Sequence, residues 1–127
     1  MPTLQLVALT LTGFVALLHV YFFVLESVLW RTAYGRRVFK MSQEKADLTA
    51  SLAANQGLYN LFLAAGLVWS ILERDKSGGF PLQVFFLSCV VVAGVVGALT
   101  ASRVILFAQA LPGALALGAT FAMRYAG

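Results

Sequence analysis

The sequence predicts an all-α integral membrane protein, a four-helix bundle with both termini on the non-cytoplasmic side. Three observations predict it. Apolar residues make up 61% of the 127 residues and charged residues 11%, whereas soluble domains carry about 45–50% and about 25%. A chain this short forms one domain, and small domains bury only about two-thirds of the surface that they expose when unfolded, so lipid is the natural solvent for the excess. Charged residues also divide the chain into four long uncharged runs, and about 20 apolar residues cross the hydrocarbon core.

No Lys, Arg, Asp or Glu occurs from Pro2 to Leu25, which predicts a first helix over about residues 3–29. A cleaved signal peptide would need a basic start and a shorter apolar stretch, and no Lys or Arg precedes Arg31. In the polar loop that follows, Tyr34-Gly35 marks a turn. Ser42 reads as the N-cap of the next helix, with Lys45 where a capping-box Glu would stand. The uncharged run from Leu48 to Leu72 predicts a second helix over about 48–73. Ser77-Gly78-Gly79 before Pro81 is a flexible turn, which leads into a third helix over about 81–102. Only Arg103 separates it from the fourth, at about 104–124, so the two form a tight hairpin. Pro112 predicts a kink in the fourth helix.

Orientation follows from the distribution of basic residues. Arg31, Arg36, Arg37, Lys40, Lys45 and Arg103 lie in the connections on one side, against Arg74, Lys76 and Arg124 on the other. The richer side is assigned to the cytoplasm. The net charge of +4 then reflects loops that face a membrane surface rather than a nucleic-acid partner.

Polar residues inside the helices supply the candidate site, because such side chains are costly in hydrocarbon unless they are paired. Thr12, His19 and Glu26 are spaced by seven, which nearly restores the angular position on a helix of 3.6 residues per turn. Trp30 continues that stripe. In the second helix Asn55, Gln56, Tyr59 and Asn60 form a broader polar arc. A depth estimate of about 1.5 Å per residue sets Glu26 level with Asn55, and His19 level with Asn60. The expectation is a polar pocket in the cytoplasmic half of the bundle, with Glu26 and His19 as acid/base groups. Asn55, Gln56, Tyr59, Asn60, Arg103 and Gln109 are its substrate-binding residues, and Arg103 holds an anionic group.

Small residues predict where helices approach closely. Ala110, Ala114, Gly118 and Ala122 recur at every fourth position, and Gly94 with Ala98 and Gly97 with Ala101 do the same one helix earlier. Such stripes permit close backbone packing within a chain or between subunits, and a homo-oligomer is expected. The single cysteine, Cys89, lies in an apolar run and reads as a packing residue. HExxH, GxSxG, P-loop and CxxC motifs are absent from the sequence, and one His makes no typical zinc site, so no metal is expected.

Three stretches carry a family resemblance: LLHVYFFVLE from Leu17 to Glu26, AANQGLYN with LFLAAG from Ala53 to Gly66, and QALP from Gln109 to Pro112. With them nearly the whole chain resembles the small bacterial membrane proteins of the domain of unknown function 1304 family. The resemblance implies a compact four-helix protein, multi-pass in the bacterial cytoplasmic (inner) membrane, and brings no established activity. A weaker resemblance is to the MAPEG family, the membrane-associated proteins in eicosanoid and glutathione metabolism. It rests on Ala54-Asn55-Gln56 followed by Phe62-Leu63-Ala64, and on the basic first loop. It implies a trimer that binds glutathione, with Asn55 or Gln56 at the polar positions and Arg103 as the thiolate-stabilising residue. Tyr59 and Asn60 stand where that family has an acidic residue.

Three function classes follow. One is an enzyme that acts on an amphiphilic small molecule, with a MAPEG-like glutathione-dependent transferase as a variant of it. The second is a binding protein or small transporter subunit. The third is a structural or accessory membrane protein whose polar residues fix packing only.

Overall fold

The computed structural model describes residues 2–126, and among them it contains helices and no strand. Helix α1 spans Pro2–Phe23 and runs into a π-helical turn, Val24–Val28. A short helix α2, Ala33–Val38, and the 30-residue α3, Gln43–Leu72, follow. Helix α4 is Gly79–Thr100; a second π-helical turn, Leu106–Ala110, leads directly into α5, Leu111–Tyr125. Among the described residues three helical segments are long and apolar enough to cross a membrane: Pro2–Val28, Gly79–Thr100 and Leu106–Tyr125. Helix α3 is the longest element, but Asn55, Gln56 and Asn60 dilute its apolar character, and it does not join the other three by that measure.

Local chemistry explains the boundaries. Ser42 caps α3 as the sequence suggests: the Lys45 amide donates to Ser42 Oγ at 3.1 Å. The Tyr34-Gly35 turn is instead part of α2. Thr32 caps that helix, accepting from the Gly35 amide at 3.2 Å. A side chain at Gly35 would collide with the Leu29 and Trp30 carbonyls, so the close return of the chain requires glycine there. Helix α2 ends on Lys40, whose φ of 52° is left-handed. The Met41 amide reaches back to the Arg36 carbonyl at 2.9 Å, which closes the helix end in the Schellman manner. The second π turn stands directly before Pro112, where the sequence predicts a kink. Pro112 falls in the first turn of α5, where its missing N–H is tolerated, and the wider turn just before it relieves the clash of its ring with the preceding carbonyls.

The chain divides into two compact units: Met1–Leu17 with Leu63–Gly127, and Leu18–Phe62. The first holds an apolar core of Val15, Ala16, Leu67, Leu87, Val90 and Ala116. Its α4–α5 hairpin closes on small residues. A Cβ added to Gly94 would lie 2.6 Å from the Ala110 amide nitrogen, and one added to Gly113 would lie 2.7 Å from Val90 Cγ1. Of the small-residue stripe on the last helix, Ala110 is buried in this contact, while Ala114 and Gly118 are exposed. A polar bond ties α1 to α4: Gln83 Nε2 donates to Thr12 Oγ1 at 2.8 Å, and that hydroxyl donates to the Ala8 carbonyl at 2.7 Å. The same device of an i−4 bond satisfies buried Thr120.

In the second unit the end of α1 and the start of α3 are joined by side-chain hydrogen bonds. Ser27 Oγ donates to the Ala54 carbonyl at 2.9 Å, and Trp30 Nε1 donates to Thr49 Oγ1 at 3.0 Å. The two helices can approach because Gly57 faces Ser27, whose Oγ occupies the space of any Cβ there. Across both units large apolar side chains remain exposed, Leu17 at 69%, Leu52 at 73% and Leu99 at 82% among them. Exposed apolar side chains in such number suit contact with lipid or another chain.

Candidate functional site

The sequence places a glutamate inside an apolar segment, and the local fold deals with it through the first π turn. The Leu29 amide bonds to the Val24 carbonyl at 2.9 Å, five residues back rather than four. Turns of this kind insert one residue and re-aim the side chains that follow; they are frequent at functional sites. Glu26 lies in this turn with only 7% of its surface exposed. Asn60 Nδ2 donates to Glu26 Oε1 at 2.5 Å, so the buried acid has a donor from the facing helix.

Beside this pair lies an open cavity of about 530 Å³, lined by Glu26, Ser27, Trp30, Arg31, Asp47 and Ser51 among others. Arg31 and Asp47 stand 4.0 Å apart as a solvent-exposed ion pair. Such a pair adds little stability, but it sets both charges on the cavity wall. The lining runs from a buried carboxyl group through hydroxyls and an indole to exposed charges.

Of the predicted site residues, Glu26 lines this cavity. His19 is fully buried, with its ring 5.2 Å from that of Phe22 in an edge-on arrangement. Glu26 and Asn60 meet. Asn55, Gln56 and Tyr59 are exposed on α3, and none of them lines the cavity. Arg103 is exposed and Gln109 half-buried; both belong to the other unit. The depth estimate paired Glu26 with Asn55 and His19 with Asn60, whereas the hydrogen bond joins Glu26 to Asn60. Ser27 bonds to the Ala54 carbonyl, and Gly57 meets Ser27 and Glu26 Cβ, so Glu26 starts beside residues 54–57 and its side chain meets Asn60. Sequence reasoning missed Ser27, Arg31, Asp47 and Ser51. Their signal was position alone, since they flank the ends of α1 and α3 that the intervening loop brings back together.

Comparison with known proteins adds the family. The family model described as "Protein of unknown function (DUF1304)" matches residues 13–121. The chain belongs to the DUF1304 family. It is also similar to "Uncharacterized protein YpaA" of Lactococcus lactis subsp. lactis (strain IL1403), 27% identical over 120 residues, which cover 93% of this chain and 99% of that protein. No solved structure matches the chain. The DUF1304 match bears out the family resemblance seen in the sequence, while the MAPEG likeness gains no support from these comparisons. Glu26 and Asn60 both fall inside the matched segment.

Proposed function

We propose that this DUF1304 protein is a polytopic protein of the bacterial cytoplasmic membrane that binds an amphiphilic small molecule beside Glu26. The observation that carries the reading is the cavity of about 530 Å³ with a buried carboxyl group in its wall and charged residues at its exposed side. An ionisable group within a membrane segment is a functional candidate by default, and here it adjoins open space. Helix α3 makes the fourth crossing: its 30 residues span about 45 Å, and no charge interrupts Leu48–Leu72. Arg31, Arg36, Arg37, Lys40 and Lys45 then face the cytoplasm, and the ligand enters from that side. Glu26 holds the polar end of the ligand, and any proton transfer at this site runs through its carboxyl group.

Two measurements test the reading. Native mass spectrometry of gently solubilised protein reports bound small molecules and subunit number together. Wild type is expected to retain a ligand that Ser51→Trp loses, because the indole fills the cavity from its exposed wall. An empty wild type, or equal retention by both proteins, would refute the binding site. For topology, Ser42→Cys and Ser77→Cys are introduced separately with Cys89→Ala. A membrane-impermeant maleimide applied to intact cells is expected to label position 77 and spare position 42. The reverse pattern inverts the orientation.

A further inference from the structure

A second cavity lies within the unit that contains α4 and α5. It measures about 80 Å³, and Arg74, Lys76, Gly79, Phe80, Gln83 and Arg124 form part of its wall. It gathers the end of the α3–α4 connection, the first turns of α4 and the last turn of α5. Three cations line it, and no carboxylate does. The nearby acids are loosely held outside it: Arg74 and Asp75 are 3.9 Å apart, and Lys76 and Glu73 are 3.5 Å apart, with the basic partners 44% and 70% exposed. Exposed pairs of this kind are weak and leave both cations able to turn to a better anion. Arg124 lies over the Phe80 ring at 4.9 Å and joins no ion pair among the described residues.

The rest of the wall fits the same charge. Gln83 is 3% exposed, and its Nε2 gives one hydrogen to Thr12, which leaves a second N–H. Gly79 lets the start of α4 pack closely on the chain that carries Arg74, since a side chain there would collide with the backbone of Glu73 and Arg74. Helix α4 begins at this wall with no side-chain cap and no acid in its first turn, so its amide end adds positive potential. The volume admits a few waters or one small tetrahedral anion. Phe80, Phe121 and Tyr125 pack edge-on and stacked beside it, with ring centroids 5.9–6.3 Å apart. Such aromatics sit at the level of lipid headgroups.

We propose that this cavity binds a phosphate-type oxyanion, supplied by a lipid headgroup or by free phosphate. Arg74 and Arg124 clamp it, Lys76 adds charge at the rim, and the Gln83 amide donates from the buried side. The inference is independent of the Glu26 cavity.

The test uses full-length protein in an uncharged detergent and in nanodiscs. Inorganic phosphate is expected to raise the thermal unfolding midpoint of wild type above that in chloride at equal ionic strength. Arg74→Gln with Arg124→Gln is expected to weaken the apparent affinity at least about tenfold. Lys76→Gln, a change at an exposed side chain, weakens it less and guards against simple misfolding. Arg36→Gln with Arg37→Gln, remote in sequence, leaves it unchanged. If phosphatidylglycerol is retained over phosphatidylcholine in native mass spectra but phosphate has no effect, the occupant is the headgroup. If phosphate acts without lipid preference, the occupant is the free anion. The proposal is overturned if neither probe is distinguished from its control, or if the Arg36 and Arg37 substitutions weaken binding as much as those at Arg74 and Arg124.

Discussion

In the unit built from Met1–Leu17 and Leu63–Gly127, helices meet through small and branched apolar residues, with Gly94 on Ala110 and Gly113 on Val90. In Leu18–Phe62 the close approach at Gly57 is joined by three side-chain hydrogen bonds: Ser27 to Ala54, Trp30 to Thr49 and Asn60 to Glu26. The residues of the apolar core all lie in the first unit. The difference illustrates two solutions to one problem. Lipid is as apolar as leucine, so burial of apolar side chains between helices brings little net gain, and association relies on close van der Waals contact or on polar bonds. The first unit relies on close contact at the α4–α5 joint, with the Gln83–Thr12 bond between α1 and α4 beside it. The second uses polar bonds, which hold helices at fixed points and leave the Glu26 cavity between them open.

Three substitutions break or sharpen this contrast. The largest effect is expected from Gly94→Val. Its Cβ alone would lie 2.6 Å from the Ala110 nitrogen, which is backbone and cannot rotate away. A loss of about 3 kcal/mol follows from overpacking of this kind, read as a fall in thermal stability by circular dichroism in detergent. A loss below that of the polar substitutions would show that the hairpin does not depend on close contact.

Asn60→Leu comes next. It removes the donor from Glu26 while the acid stays buried, at a cost of about 1–2 kcal/mol. A double-mutant cycle with Glu26→Gln isolates the pair, and a coupling energy near zero would mean that the bond is incidental to folding. The smallest effect belongs to Trp30→Phe, which keeps the ring close to Phe39 but loses the bond to Thr49. About 0.6 kcal/mol is expected. If it equalled Gly94→Val, the proposed division between the two units would fail.

Much of the fold was legible in the sequence. Uncharged runs located the four long helices approximately, because charge within a hydrocarbon-spanning run is costly, but α3 starts at Gln43 rather than about residue 48, and the short α2 was read as loop. Ser42 was readable as a cap because its hydroxyl has a local task, to accept from an amide three residues on. Glu26 and Asn60 were readable as candidates because each is polar inside an apolar helix. Their partnership was not. It depends on the contact of Ser27 with Ala54 and Gly57, which sets how the end of α1 lies along α3 and has no clear signal in the sequence. The Arg31–Asp47 side of the cavity was equally hidden, since those residues look like ordinary loop charges until α1 and α3 are laid together.

By itself, then, the sequence determined a helical, lipid-adapted chain, the extent of its long helices and the short list of polar residues that the helices must accommodate. Tertiary structure decided which of these meet: Glu26 with Asn60 rather than with Asn55, and Gly94 and Gly113 at the α4–α5 contact while Gly118 faces open space. The physical reason lies in the solvent. In water, one apolar face marks the buried side of a helix. In lipid both faces are apolar, so the rotation of each helix is set by contacts between particular side chains, and those exist only once the chain has folded.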